Sequence, residues 1–172
     1  QARPDMVILH VDAHADLRSS YEDSPLSHAC IMARARELGI PLFQMGIRSI
    51  CREQQDFMRA QNPAGLRTLF AWELPEPKEA AAMLRKFTGD RPLYISFDVD
   101  GMDPSVIPGT GTPEPGGISY WWMAAFWKEL WQGGGPELIG MHVCELAPIH
   151  GSQVSETAAV KIIQRVLTAW LG

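Results

Sequence analysis

The sequence predicts an α/β fold: three layers, α-β-α, built on a mainly parallel sheet. Two observations predict it. Short apolar runs rich in branched residues alternate along the chain with amphipathic segments of helical period. The first run is apolar at consecutive positions, the pattern of a strand buried on both faces. Five such strand-then-helix units call for crossover connections between parallel strands, with helices covering both sides of the sheet.

The elements follow in order. Residues 6–11 (MVILHV) form the first strand, and a polar stretch, DLRSSYEDSP, comes after it. A helix is expected over 27–38, stopped by Gly39 as a left-handed terminator with Pro41 just beyond. Residues 41–47 (PLFQMGI) are the second strand. Residues 51–60 read as a short helix ended by Asn62-Pro63 and Gly65, and 66–72 as a third, weaker strand. The run 77–87 (PKEAAAMLRKF) has high helix propensity, a proline near its start and Gly89 past its end. Residues 92–97 (PLYISF) are a strand, followed by a Gly/Pro-rich loop over 101–117. Ser119 caps a helix reaching Trp131, with Trp122, Phe126 and Leu130 spaced to line one face. The last strand is 137–144 and the last helix 156–171. No internal repeat, low-complexity tract or linker divides the chain.

Composition narrows the function classes. The 172 residues are 46% hydrophobic and 20% charged, which excludes disorder and fits one domain. Fifteen Lys and Arg against 20 Asp and Glu argue against a nucleic-acid-binding module, which carries a basic stripe. No apolar run approaches the roughly 18 residues of a membrane span. Cys30, Cys51 and Cys144 are widely spaced, without a CxxC pair, and read as buried free thiols of a reducing, cytoplasmic compartment. The opening Gln1-Ala2-Arg3-Pro4 has no initiator Met, so the expectation is that the true N-terminus has been removed.

Functional residues of parallel sheets gather at the carboxyl ends of the strands. Two strand ends here carry unusual cargo: Asp12-Ala13-His14-Ala15-Asp16 after the first, and Asp98-Val99-Asp100-Gly101-Met102-Asp103 after the fourth. Carboxylates crowded beside apolar strands are costly unless a cation neutralises them. Oxygen donors with one imidazole and no thiolate suit Mn²⁺ better than structural zinc. If the extended geometry persisted, Asp12, His14 and Asp16 would point one way. Two carboxylate-bearing strand ends would then make a two-metal site with an activated water. Each motif alone also fits a plainer structure, an Asx-turn for the first and a turn or lone Ca²⁺ or Mg²⁺ loop for the second. Their occurrence together favours the metal site. Setting aside the five motif aspartates leaves acidic and basic side chains equal in number, so the net charge of −5 reads as a concentrated site.

DAHAD at 12–16, SFDVDGMDPS at 96–105 and GTGTPEPGG at 109–117 resemble the ureohydrolase family of arginases and agmatinases, the last loop most like the agmatinase branch. SHACIMARARELG at 27–39, QMGIRS at 44–49 and the strand ending Cys144-Glu145-Leu146-Ala147-Pro148 extend the resemblance over nearly the whole chain. It implies an arginase-like fold and hydrolysis of a guanidino compound, agmatine foremost, to urea and an amine by a hydroxide bridging two Mn²⁺ ions. By motif position Asp12 and Asp98 bridge the ions, His14 and Asp100 complete one site, and Asp16 serves the other. Asp16 is then the local proton relay, His28 the shuttle to bulk water, and Glu145 the partner of the substrate guanidinium. Thr112 and His150 are further candidates for substrate contact. His10 reads as a core histidine or as a support for the metal ligands, and His142, out of phase with Glu145, faces helices or solvent. The resemblance also implies a homo-oligomer, trimeric or hexameric, with no nucleic-acid or membrane partner.

Two departures qualify the match. The family's upstream Gly-Gly-Asp-His segment, whose histidine completes the metal site of Asp16, has no counterpart in these residues. Residues 1–172 are therefore expected to be the C-terminal portion of one ureohydrolase domain, incomplete at its N-terminal side, with a first strand that presents an unpaired edge. The alternative is a non-catalytic fragment or subunit that needs a partner chain. The loop 148–152 also lacks an acidic residue that agmatinase-like sequences often carry there, which admits guanidinobutyrate or guanidinopropionate as substrates. A deacetylase of related architecture fits the motif order less well.

Overall fold

The MVILHV run supplies the middle of the sheet. In a computed structural model of the protein, which describes residues 5–60 and 65–172, Val7–Val11 is strand β1, and all five of its residues are buried. The other strands are β2 (Leu42–Ile47), β3 (Leu66–Phe70), β4 (Leu93–Asp98) and β5 (Leu138–Cys144). They lie in the order β3-β2-β1-β4-β5, and every pairing is parallel. The expectation of an unpaired first strand is therefore wrong. β1 hydrogen-bonds to β2 on one side and β4 on the other, and the edges are β3 and β5. A strand apolar at all but one position gains most where it is covered on all sides. The edge strands, by contrast, carry partly exposed residues along most of their length.

Five helices cover the two faces. Strands β1, β2, β4 and β5 bury Leu9, Phe43, Ile95 and Leu138 against α3 (Pro77–Thr88), α4 (Tyr120–Trp131) and α5 (Val154–Leu171). On the opposite face Ile8, Leu42 and Ile47 pack against α1 (Ile31–Glu37) and α2 (Arg52–Ala60). Local chemistry sets the ends much as expected. Gly39 and Gly89 have positive φ past α1 and α3, and the Ser119 hydroxyl accepts from the Trp122 amide at the start of α4. Trp122 stacks on Phe126, and Phe126 and Leu130 are buried.

Three boundaries move. The helix expected over 27–38 begins as a 3₁₀ turn at His28–Cys30 and becomes α-helical at Ile31, where Cys30 departs from helical ψ. The third strand ends at Phe70 in a 3₁₀ turn, Ala71–Glu73. The last helix starts two residues early, at Val154, whose amide is met by the Ser152 hydroxyl. The expected Asn62-Pro63 helix stop lies outside the described residues, as do Gln1 to Pro4. The three cysteines are free, but only Cys30 is buried. Among the described residues no helix is long and apolar enough to cross a membrane.

The strand order positions the site. The chain runs outward from β1 through β2 to β3, then returns to the other side of β1 as β4. The carboxyl ends of β1 and β4 thus flank the point where the winding reverses, the place where open α/β sheets form their crevice. Gly101 lets the two ends approach. A Cβ there would lie 2.8 Å from the Asp12 backbone nitrogen and 3.0 Å from Val11 Cγ1. Gly101→Ala is expected to destabilise the protein by about 1–3 kcal/mol, read by urea unfolding. A loss below about 0.5 kcal/mol would show that this contact does not constrain the strand ends.

Candidate metal centre

The register of β1 with β4 pairs Val11 with Phe97, so Asp12 and Asp98 leave the sheet side by side. Neither following segment stays extended. The Asp12 Oδ1 atom accepts from the His14 amide at 2.5 Å, and Asp98 Oδ1 accepts from the Asp100 amide at 2.9 Å. Both are Asx-type turns, in which a short carboxylate captures the backbone N–H two residues on. The straight Asp12-His14-Asp16 alternation expected from the sequence is replaced by this turn, and Asp16 adopts a left-handed backbone, φ 52°. The turn, weighed from the sequence as a rival to the metal site, occurs together with the carboxylate cluster.

The turns gather the carboxylates. His14 Nδ1 lies 3.0 Å from Asp100 Oδ2 and 3.4 Å from Asp12 Oδ1. Asp100 also accepts from the Ala13 amide and, through Oδ2, from the Thr112 hydroxyl, each at 3.0 Å. Asp98 Oδ2 meets the Cys144 thiol, a long contact of 3.7 Å. Asp12, Asp98 and Asp100 are buried, and Asp12, His14 and Asp100 each offer a donor atom within 4.8 Å of the others.

The electrostatics follow from this crowding. Burial, with the neighbouring Asp12 and Asp100, pushes the Asp98 carboxyl up to about 9. Burial and the Asp12 charge raise Asp16 to about 7. Hydrogen bonds to Asp100 and Asp12 raise His14 to about 10. Burial alone would raise Asp12, but hydrogen bonds from His10 and His14 outweigh it and hold this carboxyl well below its usual range. The cluster therefore retains protons, on Asp98 and on His14, where positive charge is demanded. That demand and the oxygen-plus-imidazole donor set fit a divalent cation. Burial beside Asp98 pushes the Cys144 thiol up to about 12, so it is a hydrogen-bond donor and not a thiolate ligand.

A cleft of about 480 Å³ opens above these residues, lined by Asp12, His14, Asp16, His28, Asp98, Asp100, Thr112 and Glu145 among others. His28 is exposed in the wall, its ring edge-on to Tyr21. Glu145 follows β5 with φ 61°, an uncommon backbone state for its side chain. The loop 109–112 is tied to this segment where the Ala147 amide donates to the Gly109 carbonyl. The structure brings together every expected site residue except His150, which is exposed in the turn before α5 and does not line the cleft. His142 is exposed, as expected, between Tyr94 Oη and Ser96 Oγ. Asp103 is not in the site: its carboxylate accepts from Ser105, Gly116 and Gly117, which holds it below the usual range.

A basic residue that braces this cluster escapes sequence reasoning. The Arg48 guanidinium donates to the carbonyls of Gly46, Asp100, Glu114 and Pro115, clamping the Asp100 turn to the 114–115 loop. The available signal was a basic residue directly after a strand, inside the QMGIRS segment.

Comparison with known proteins identifies the family and the fold. The model of the Arginase family matches residues 1–169. An N(1)-aminopropylagmatine ureohydrolase of Synechocystis sp. is 35% identical over 95% of this chain and 52% of its own length. An agmatinase of Bacillus subtilis is 36% identical over 98% of this chain and 56% of its own. The crystal structure of the agmatine ureohydrolase of Thermoplasma volcanium superposes with a TM-score of 0.82 at 26% identity, covering 99% of this chain and 56% of that one. The chain thus spans about half the length of these relatives, and its fold is theirs.

The site predicts a pH dependence. Asp98 and Asp16, raised from 3.8 to about 9 and about 7, and His14, raised from 6.5 to about 10, all bind protons more tightly in the folded state. Between about pH 5 and 9 the folded chain holds more protons than the unfolded one, so stability falls as pH rises. Asp12, shifted downward, contributes only below 3.8, outside this window. The melting temperature of chelator-treated protein is expected to fall across that range, and saturating Mn²⁺ to remove most of the fall. A flat profile without metal would contradict the charge arrangement.

Proposed function

The chain belongs to the arginase family, and from that premise we propose that residues 1–172 are the C-terminal portion of a ureohydrolase catalytic domain that hydrolyses an alkylguanidine with Mn²⁺. The observation that carries this reading is the meeting of Asp12, His14, Asp98 and Asp100 at the β1 and β4 ends, under a cleft that also presents Asp16 and Glu145. Asp12, His14 and Asp100 would hold one ion. Asp16 and Asp98 would serve a second, with Asp12 and Asp98 shared between the two. Bound there, the ions supply a water nucleophile at neutral pH and neutralise charge that develops on the substrate.

The rest falls to the chain's own side chains. Glu145, at the cleft wall, pairs with the cationic guanidinium and orients it by charge-assisted hydrogen bonds. The oxygen of water bonds to the guanidinium carbon, the bond from that carbon to the alkyl-bearing nitrogen breaks, and this nitrogen takes up a proton. Asp16 in the cleft moves one of the water's two protons to this nitrogen, and His28 at the exposed wall passes the other to solvent, from which the released amine takes its third proton. Thr112 keeps Asp100 in place through its hydroxyl and stands where the substrate loop meets the metal side. Agmatine and its N(1)-aminopropyl derivative, named in the relatives, are the first substrates to test. Guanidinobutyrate and guanidinopropionate follow, because 148–152 carries no acidic residue. His150, outside the cleft wall, is a substrate contact only if its loop moves.

A second reading has its own observation. Asp16, Asp98 and Asp12 give the second ion carboxylates alone, and the nearby imidazole of His10 is spent on Asp12. A histidine from the family's preceding Gly-Gly-Asp-His segment completes that set, so this chain alone binds one ion tightly and is catalytically weak. The working enzyme is then a cytoplasmic homo-oligomer, trimeric or hexameric. The exposed apolar residues Val160, Leu167 and Trp170 on α5 support a contact with another subunit or segment.

Urea release from the substrate panel, with and without Mn²⁺, tests the reading. Asp12→Asn and Asp98→Asn are each expected to lower turnover more than about 10²-fold, and Glu145→Gln to lower kcat/KM about 10²-fold through substrate placement. Unchanged turnover in either aspartate variant would remove the metal-site assignment. Two tightly bound ions and full activity in the isolated chain would remove the second reading.

A further inference from the structure

A row of polar side chains crosses the interior of the sheet at one register. Thr68 on β3 pairs with Gln44 on β2, Gln44 with His10 on β1, His10 with Ser96 on β4, and Ser96 with His142 on β5. Gln44 is fully buried and His10 is 1% exposed. Polar groups at such positions cost free energy unless their hydrogen bonds are made, and strands this apolar would bury leucine or valine as readily. The bonds of this row show what it serves.

The Gln44 amide fixes the direction. Its nitrogen lies 2.8 Å from the Ala15 carbonyl oxygen, which only accepts, so the NH₂ end faces that way. Its oxygen accepts from the Thr68 hydroxyl at 3.2 Å. The second amide N–H points at His10 Nδ1, 3.1 Å away. Nδ1 is thereby an acceptor, and the imidazole proton sits on Nε2. That nitrogen lies 2.9 Å from Asp12 Oδ2 but 4.0 Å from Asp16 Oδ2, so the proton is donated to Asp12. The other Asp12 oxygen already accepts from the His14 amide. Asp12 Oδ2 is thus turned toward His10, while Oδ1 faces the His14 amide and, at 3.4 Å, the His14 ring Nδ1.

We propose that His10, oriented by Gln44, is a positioning residue that sets the rotation of the Asp12 carboxylate, and is not itself a metal ligand. The inference rests on the metal reading given above and names a device that reading does not need. The same amide also anchors the Ala15 carbonyl, the residue before left-handed Asp16. One buried glutamine thus ties both ends of the Asp12 to Asp16 turn to the sheet. Partners behind a metal ligand of this kind are worth roughly 10–100-fold in metal affinity.

Two measurements on the full chain test the proposal. ¹⁵N NMR of the histidine rings in chelator-treated protein should show His10 protonated at Nε2 and bare at Nδ1, and this pattern should be lost in Gln44→Leu. A proton on Nδ1 would overturn the assignment whether or not any metal binds. Mn²⁺ affinity, read from the EPR signal of the free ion, should fall about 10–100-fold in His10→Leu. It should recover in His10→Gln, whose amide offers an N–H to Asp12 and an oxygen to Gln44. Equal affinity in the wild type and His10→Leu would reduce His10 to a space filler. Equal loss in both variants would make it a direct ligand. Absence of Mn²⁺ binding in the wild type would instead defeat the metal reading, leaving the NMR result to decide the pairing.

Discussion

Everything in this molecule is arranged around a shortage of positive charge at one point. Asp12, Asp98 and Asp100 are buried where two strand ends meet, and Asp16 stands beside them in the cleft. Like charges so close, away from bulk water, repel by an amount the fold tolerates only through protons, donors or a cation. Without a cation, the cluster keeps protons on Asp98 and His14 that exposed side chains would have shed at neutral pH. The winding reversal at β1 brings the strand ends together, and the missing side chain of Gly101 lets them come this close. The apolar core on both faces of β1 supplies the burial that makes the charges costly. The stability of the fold and the crowding of these carboxylates are thus opposed, and the cation proposed for the site would reconcile them.

The carboxylates are not left to find their own positions. From the sheet side, Gln44 and His10 hold the Asp12 turn. From the loop side, Arg48 grips the carbonyls of Asp100 and Glu114, and Thr112 fixes an oxygen of Asp100. The Asx-turns add a backbone donor to Asp12 and to Asp98. A ligand set held from several directions is already organised before an ion arrives, which lowers the cost of ordering it on binding.

The sequence announces the fold and the clustered carboxylates far better than it announces their supports. Five strands and five helices are legible because apolar runs and helical periods are local patterns, and Gly39, Gly89 and Ser119 mark ends through their own backbone chemistry. The aspartates and His14 are legible because charge beside an apolar strand is conspicuous. Strand order is not local, so β1 in the middle of the sheet could not be read from its position at the start of the chain. Gln44 and Arg48 are silent for a related reason. Each gains its meaning from partners far along the chain, Gln44 from His10 and Arg48 from Glu114, and no short window contains both. The turns at Asp12 and Asp98 show a third limit, because a residue type suited to metal ligation also captures a backbone N–H, and the sequence does not say that it does so here.

The anchoring of the site is uneven, and the unevenness follows the sheet. Asp12 after β1 and Asp100 after β4, which flank His14 at the inner strands, receive donors from at least two directions each. Toward the edge the support thins. Glu145 leaves the edge strand β5 exposed and in a left-handed turn. A middle strand offers neighbours on both sides from which to hold a side chain, whereas an edge strand offers one. The division suits the roles proposed for these residues. Groups that hold a resident ion gain from rigidity, since their geometry must persist through every turnover. A carboxylate that receives and releases a substrate gains from access to solvent and from freedom to adjust. On that ground the position of Glu145 at the rim, and not at the centre, fits the substrate role proposed for it.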